Sequence, residues 1–252
     1  MIELQDAAVA VPSPAGTADP EPATILHPTT LRLAEQRISI IGGNGSGKST
    51  LARLLNGLVE PSSGAVRVLA RGTGTADEEG AGSWLDTRRD GAAVRRRVGF
   101  VFTDPAAQLI MPTAVEDVAL SLRRTHPDGA DRHRAALDAL GRFGLAELAE
   151  QSVHTLSGGQ RQLLAIASVL AAEPAILVAD EPTTLLDLGN SRRIAALLFG
   201  LPQQLIVATH DLELAALAER TLVVAGGRVV FDGAPDEAIA RYRTSTESGN
   251  PW

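Results

Sequence analysis

One eight-residue stretch constrains this chain more than any other. Gly42-Gly43-Asn44-Gly45-Ser46-Gly47-Lys48-Ser49 follows a short β-branched run, Arg37–Ile41. After it, Leu51, Leu54, Leu55 and Leu58 recur at helical spacing, and Pro61 stands beyond the helix end. A strand, a glycine-rich turn and a helix in that order make a phosphate cradle. The glycines let the backbone turn so that successive N–H groups converge on one anion. The helix begins at the same point and adds its positive end. Lys48 is then placed to reach the β- and γ-phosphates of a nucleotide, the Ser49 hydroxyl to ligate Mg²⁺, and Thr50 closes the segment. Of the 23 basic side chains, Lys48 is the only lysine. A compact ammonium on a flexible stem suits this slot, and the wider guanidinium fork does not.

The 252 residues suffice for one α/β domain with a small embedded subdomain. Ile2–Val11 reads as a strand, Pro12–Pro28 as a loop, and Ala65–Leu69 and Val98–Phe102 as further strands. Arg71–Asp90 is glycine-rich and acidic and reads as an exposed, irregular insertion. Thr113–Leu148 switches to helical patterning, broken near His126–Gly129, and reads as a helical subdomain inserted between strands. Gln160–Ala172 and Ser191–Phe199 read as helices, Ile176–Ala179 and Leu205–Ala208 as buried strands. Asp211–Ala218 reads as a helix, Leu222–Ala225 with Arg228–Phe231 as a hairpin, and Pro235–Tyr242 as a last helix. Strands alternating with helices imply a largely parallel sheet covered on both faces.

Two strand ends carry candidate chemistry. The apolar run Ala175–Ala179 leads into Asp180-Glu181, and two acids at the end of a buried strand are costly without a cation or a polar task. Asp180 is placed to hold the Mg²⁺ shell, and Glu181 to polarise an attacking water as general base. Val207-Ala208-Thr209 ends in His210, which could contact a terminal phosphate and that water. His27, His126, His133 and His154 have no such context.

Composition then excludes several classes. A net charge of −7 argues against a nucleic-acid partner, whose phosphates need a basic face. With no cysteine there is no disulfide, thiolate metal site or thiol nucleophile. No stretch approaches the roughly 20 apolar residues of a membrane span. Met1–Ala10 carries Glu3 and Asp6 and lacks the basic start of a signal peptide. The expectation is a soluble intracellular chain whose membrane role, if any, runs through a partner.

Leu156-Ser157-Gly158-Gly159-Gln160 offers a second anion-binding helix start, with Ser157 as cap. One nucleotide site does not need two. The natural solution is a dimer in which this segment closes over the phosphate held by the other subunit. Taken together, the glycine cradle, LSGGQ, Asp180-Glu181, Thr184-Leu185-Leu186-Asp187 and His210 resemble the ABC transporter ATPase family over nearly the whole chain. The resemblance implies a P-loop NTPase (RecA-like) α/β core with an antiparallel β subdomain. It also implies a single domain over 1–252, in which an embedded α-helical subdomain at 104–162 carries the signature. By the same resemblance Gly42–Thr50 is the Walker A loop and Ser157, Gly158, Gly159 and Gln160 the signature. Asp180 and Glu181 end Walker B, Leu185–Asp187 is the D-loop, and His210 is the switch histidine. The cofactors implied are ATP and Mg²⁺. Catalysis falls to Glu181, His210 and Lys48.

A narrower resemblance rests on Phe102–Gln108, Met111-Pro112-Thr113, Glu116-Asp117-Val118 and the run Asp180–Asp187. These look like the energy-coupling-factor ATPases of vitamin and metal-ion uptake, and within them the biotin branch, with cobalt or nickel uptake as the alternative. That implies an ATP-driven homodimer at the cytoplasmic face of the membrane. Its partners would be a transmembrane coupling subunit and a substrate-binding membrane subunit. Two positions depart from the pattern. Thr103 stands where the family has glutamine, and Val11 stands near the place of an adenine-stacking aromatic, offering only apolar contact. Two other readings are disfavoured by the sequence. A non-transport ABC ATPase acting on nucleic acid or ribosomes would carry a coiled-coil insertion or fused halves. A non-hydrolysing module would lack Glu181 and His210.

Overall fold

The computed structural model describes residues 1–12, 22–70 and 83–248. The chain opens with β1 (Ile2–Val11) and β2 (Ala23–Leu33), an antiparallel ribbon pairing Ile2 with Leu33 and Val11 with Ala23. β2 begins inside the span the sequence assigns to a loop, taking its last residues, Ala23–Pro28. Pro28 and the polar residues around it hide the strand, whose inward residues Leu26 and Leu33 are fully buried. β3 (Arg37–Ile41) feeds the glycine loop and α1 (Lys48–Asn56). Next come β4 (Ser63–Leu69), β5 (Trp84–Asp86), α2 (Gly91–Arg97) and β6 (Val98–Val101). The proposed irregular insertion at Arg71–Asp90 is thus corrected at its C-terminal end, where Trp84–Asp86 pairs with Leu69–Arg67 as an edge strand. Its residues 71–82 lie outside the described ones.

The helical layer is α3 (Ala114–Ser121), α4 (Gly129–Arg142) and α5 (Gly158–Leu170). Each start has a side-chain cap, from Thr113, Asp128 and Ser157. β7 (Ile176–Asp180), α6 (Leu188–Phe199) and β8 (Gln204–Ala208) follow. The helix read at Asp211–Ala218 contracts to a single turn, α7 (Leu212–Ala215). The chain closes with β9 (Arg220–Ala225), β10 (Arg228–Gly233) and α8 (Pro235–Ser248).

Two sheets result. The smaller is antiparallel, in the order β2-β1-β4-β5. The larger runs β10-β9-β3-β8-β7-β6 and is parallel except for the β9–β10 hairpin. α1 packs between them. Leu51, Leu54 and Leu55 are fully buried in one core with Ile38 and Ile40 of β3 and with Leu4, Val66 and Val68 of the small sheet. The opposite face of the large sheet, through Leu177, Ala179, Leu205 and Val207, shares a second core with Val118, Leu140 and Leu164 of the helical layer. β7 and β8 are buried along their whole length, as central parallel strands covered on both faces must be. Polar residues at their C-terminal ends therefore open onto one edge of the sheet, next to the glycine loop that leaves β3. Among the described residues no helix is long and apolar enough to cross a membrane.

Candidate functional site

The loop after β3 depends on close backbone approach. At Gly42 a Cβ would lie 2.2 Å from the Val224 carbonyl oxygen of β9 and 2.8 Å from Ser46 Oγ, so only glycine fits. Gly227, in the β9–β10 turn, donates its N–H to the Ser46 carbonyl at 2.9 Å and accepts from His27 N–H at 2.8 Å. The loop is thereby tied to both sheets. Gly43, Asn44 and Gly45 form its exposed crest, Ser46 is buried, and Thr50 is half-buried in α1.

Lys48 is 5 % exposed and folds back over the loop, its Nζ donating to the carbonyls of Gly42 (2.7 Å) and Gly43 (3.1 Å). The Glu181 carboxylate stands 3.9 Å away. Burial holds the Lys48 ammonium below its ordinary pKa, and Glu181 and Asp180 pull it partly back. Ser49 Oγ donates to Asp180 Oδ1 at 2.8 Å. Asp180 is 1 % exposed, and burial raises its carboxyl pKa against the opposing pull of Ser49 and of Arg53 at 3.6 Å. Its second oxygen, Oδ2, is buried without a hydrogen-bond partner.

Glu181 follows immediately, with φ at +51°. Its Oε2 accepts from Thr184 Oγ1 (2.9 Å) and the His210 backbone N–H (3.3 Å), and lies 2.8 Å from His210 Nδ1. Three sheet ends, those of β3, β7 and β8, thus bring Lys48, Ser49, Asp180, Glu181 and His210 together. An ammonium, two carboxylates and an imidazole surround a glycine loop of the shape that binds phosphate.

The signature segment lies elsewhere. Ser157 and Gln160 form a capping box: Gln160 N–H donates to Ser157 Oγ (3.3 Å), and Ser157 N–H to Gln160 Oε1 (2.8 Å). Gly158 borders the Leu185 carbonyl, and a Cβ on Gly159 would strike the Asn190 side chain at 2.7 Å. Among the described residues no hydrogen bond or ion pair joins Ser157–Gln160 to Gly42–Thr50. Val11 is 44 % exposed at the open end of β1.

Sequence reasoning missed several neighbours. Arg53 stands one helical turn beyond Ser49 on α1 and Thr184 three residues beyond Glu181, spacings that could have flagged both. Ile25 of β2 brings its carbonyl within 3.3 Å of where a Gly47 Cβ would sit. No local signal marks it, because the strand itself was hidden. At Thr103 the hydroxyl donates to the Asp180 carbonyl at 3.0 Å. Gln108 is no substitute. Its amide spans Phe102 N–H (3.2 Å) and the Ala165 carbonyl (2.8 Å).

Residues 27–184 match the ABC transporter family (ABC_tran). The biotin transport ATP-binding protein BioM of Rhizobium etli is 44% identical over 218 residues, 86% of this chain and 91% of that protein. The ATP-binding cassette MJ0796, solved as a dimer in a post-hydrolysis state bound to ADP and Pi, superposes with a TM-score of 0.76 at 31% identity, covering 93% of this chain and 99% of that one. CbiO1 from Clostridium perfringens, part of the ABC transporter complex cbiONQ, gives 0.73 at 28% identity, covering 98% and 93%. With the glycine cradle, the paired acids and the signature helix on one P-loop fold, this chain belongs to the ABC transporter ATP-binding family, and it binds and hydrolyses ATP.

Proposed function

We propose that this chain is the ATP-hydrolysing subunit of an energy-coupling-factor importer, with biotin as the favoured cargo. The observation that carries the catalytic part is the placement of the Glu181 carboxylate between Lys48 and His210. The Gly42–Thr50 backbone and Lys48 bind the nucleotide phosphates. Lys48 trades its loop carbonyls for phosphate oxygens, a charge-assisted exchange. Glu181 accepts a proton from the attacking water, and His210 keeps the carboxylate aimed and meets the γ-phosphate. Ser49 and Asp180 suit Mg²⁺: a hydroxyl beside a buried carboxylate whose Oδ2 has no hydrogen-bond partner is a set of hard oxygen donors. When bound, the ion neutralises charge on the β- and γ-phosphates.

A signature whose side chains cap their own helix has backbone N–H groups to offer outward. Supported by the dimeric MJ0796 cassette, this favours a homodimer in which Ser157–Gln160 of one subunit completes the site of the other. Val11 lends the base an apolar contact. Likeness to a subunit of the cbiONQ complex supports peripheral attachment to membrane subunits at the cytoplasmic face, and likeness to BioM supports biotin.

The test is affinity purification of the tagged full-length chain from solubilised membranes, followed by substrate binding. Two hydrophobic membrane proteins, one of which retains biotin, are expected. Retention of cobalt or nickel instead would overturn the biotin assignment, and recovery with ribosomes or nucleic acid would overturn transport.

A further inference from the structure

The peptide group joining Asp180 to Glu181 is held from both sides. Its N–H, that of Glu181, donates to the Ala208 carbonyl of β8 at 2.8 Å. Its carbonyl, that of Asp180, accepts from the Thr103 hydroxyl at 3.0 Å. The two holders come from opposite neighbours of β7: β8 on one side, and on the other the chain leaving the edge strand β6. From the ends of this one peptide plane hang both carboxylates of the site. Glu181 has a left-handed backbone, a conformation that a residue with a side chain enters at a cost and keeps only where its surroundings enforce it. A plane free to rotate would let Glu181 relax toward extended backbone and swing its carboxylate away from Lys48 and His210.

On the β6 side the backbone ladder stops short of this plane. β6 ends at Val101, and the next N–H, that of Phe102, is taken by Gln108. Gln108 is in turn fastened to α5 through the Ala165 carbonyl. The chain therefore turns off the sheet toward the helical layer, and Asp104 opens a short 3-10 turn over Pro105–Ala107. Where the chain leaves the sheet, the Thr103 side chain takes the Asp180 carbonyl.

We infer that Thr103 is a positioning residue for hydrolysis: its hydroxyl locks the Asp180–Glu181 peptide plane and so aims the Glu181 carboxylate at the attacking water. This rests on Glu181 as the general base. It requires no contact between Thr103 and nucleotide or metal. The shorter side chain, in place of the family's glutamine, works from behind the site.

The experiment compares ATPase kinetics, ATP affinity and melting temperature of the full-length protein, Thr103→Val, Thr103→Ser, Glu181→Gln, and Thr103→Val combined with Glu181→Gln. Thr103→Val keeps the volume and removes the donor. It should lower kcat about three- to ten-fold, the scale of one lost hydrogen bond, with KM and ATP affinity within two-fold. Thr103→Ser should restore at least half of the rate. In the Glu181→Gln background, Thr103→Val should cost nothing further in single-turnover hydrolysis, because its effect passes through Glu181. Three results overturn the inference: wild-type kcat in Thr103→Val, an equal loss with and without Glu181, or a loss that follows the melting temperature and is not rescued by serine. Wild-type turnover in Glu181→Gln would overturn the general-base reading and this inference with it. A dead Glu181→Gln beside a fully active Thr103→Val would overturn the inference alone.

Discussion

The two glycine-rich helix starts of this chain are built on opposite plans. At the start of α1, side chains from three sheet ends interlock: Ser49 with Asp180, Lys48 with Glu181, Glu181 with His210 and Thr184. Polar groups are buried there, one carboxylate oxygen has no hydrogen-bond partner, and the backbone at Glu181 is strained. At the start of α5 the polar side chains satisfy their own helix through the Ser157–Gln160 capping box, and a Cβ added to Gly158 or Gly159 would face Leu185 or Asn190. The first start is costly to fold and chemically armed. The second costs little and has only oriented N–H groups to present. The difference fits the proposal that the first start works on nucleotide within its own subunit and the second on nucleotide held by another.

The largest effects are expected in the armed half. Glu181→Gln should cut ATP hydrolysis on the order of 10²- to 10³-fold, as expected for removal of a general base, while ATP affinity changes little. On size-exclusion chromatography this variant should shift from monomer to dimer when ATP is added. Lys48→Arg should be as inactive but should also bind ATP at least about ten-fold more weakly, because the guanidinium fork does not fit where the ammonium donates to Gly42 and Gly43. Equal ATP affinity in the two variants would remove the distinction between binding and chemical residues within the cradle.

A smaller effect decides the comparison itself. Homodimers of Lys48→Ala and homodimers of Ser157→Arg should each be inactive. Mixed, they should form heterodimers with one intact site, and activity should recover to roughly a quarter of wild type if the sites act independently in a symmetric dimer. Heterodimers that form but hydrolyse nothing would break the assignment of the two helix starts to different subunits.

Much of this site was legible because its chemistry sits in contiguous residues. Gly42–Ser49 declares itself by spacing, and Asp180-Glu181 and His210 by acids and an imidazole at the ends of apolar runs. The same locality made β3, β6, β7 and β8 readable. β2 was not, since Pro28, His27 and four threonine or arginine positions in Ala23–Leu33 mask its alternation, and only pairing with β1 makes it a strand. α2, three consecutive arginines at its end, shows too little apolar periodicity to be seen. The Thr103–Asp180 and Gln108–Ala165 contacts span 77 and 57 residues. No reading of neighbours predicts them, and the first of them carries the positioning role proposed for Thr103.

The smallest effect concerns what the armed half costs when nucleotide is not bound. Burial raises the Asp180 pKa, so its ionised form is less stable in the folded chain than in the unfolded one. The sign follows. The stability Asp180 allows is fully present below its unfolded pKa and declines as pH rises from there toward the folded value. Asp180→Asn should remove that decline. The amide oxygen still accepts from Ser49, and the lost ion pair with the half-exposed Arg53 is worth little. Near neutral pH the melting temperature of the nucleotide-free variant should rise by about 2–4 °C, the shift that 1 kcal/mol produces in a chain of this size, while ATP hydrolysis is lost. A matching substitution in the other half, Ser157→Ala, should lower the melting temperature by a similar amount through loss of the helix cap. Stabilisation on one side and destabilisation on the other would mark the cradle as the half where the fold gives up stability for chemistry. Both variants melting lower would mean that Asp180 is held comfortably and the two halves are alike.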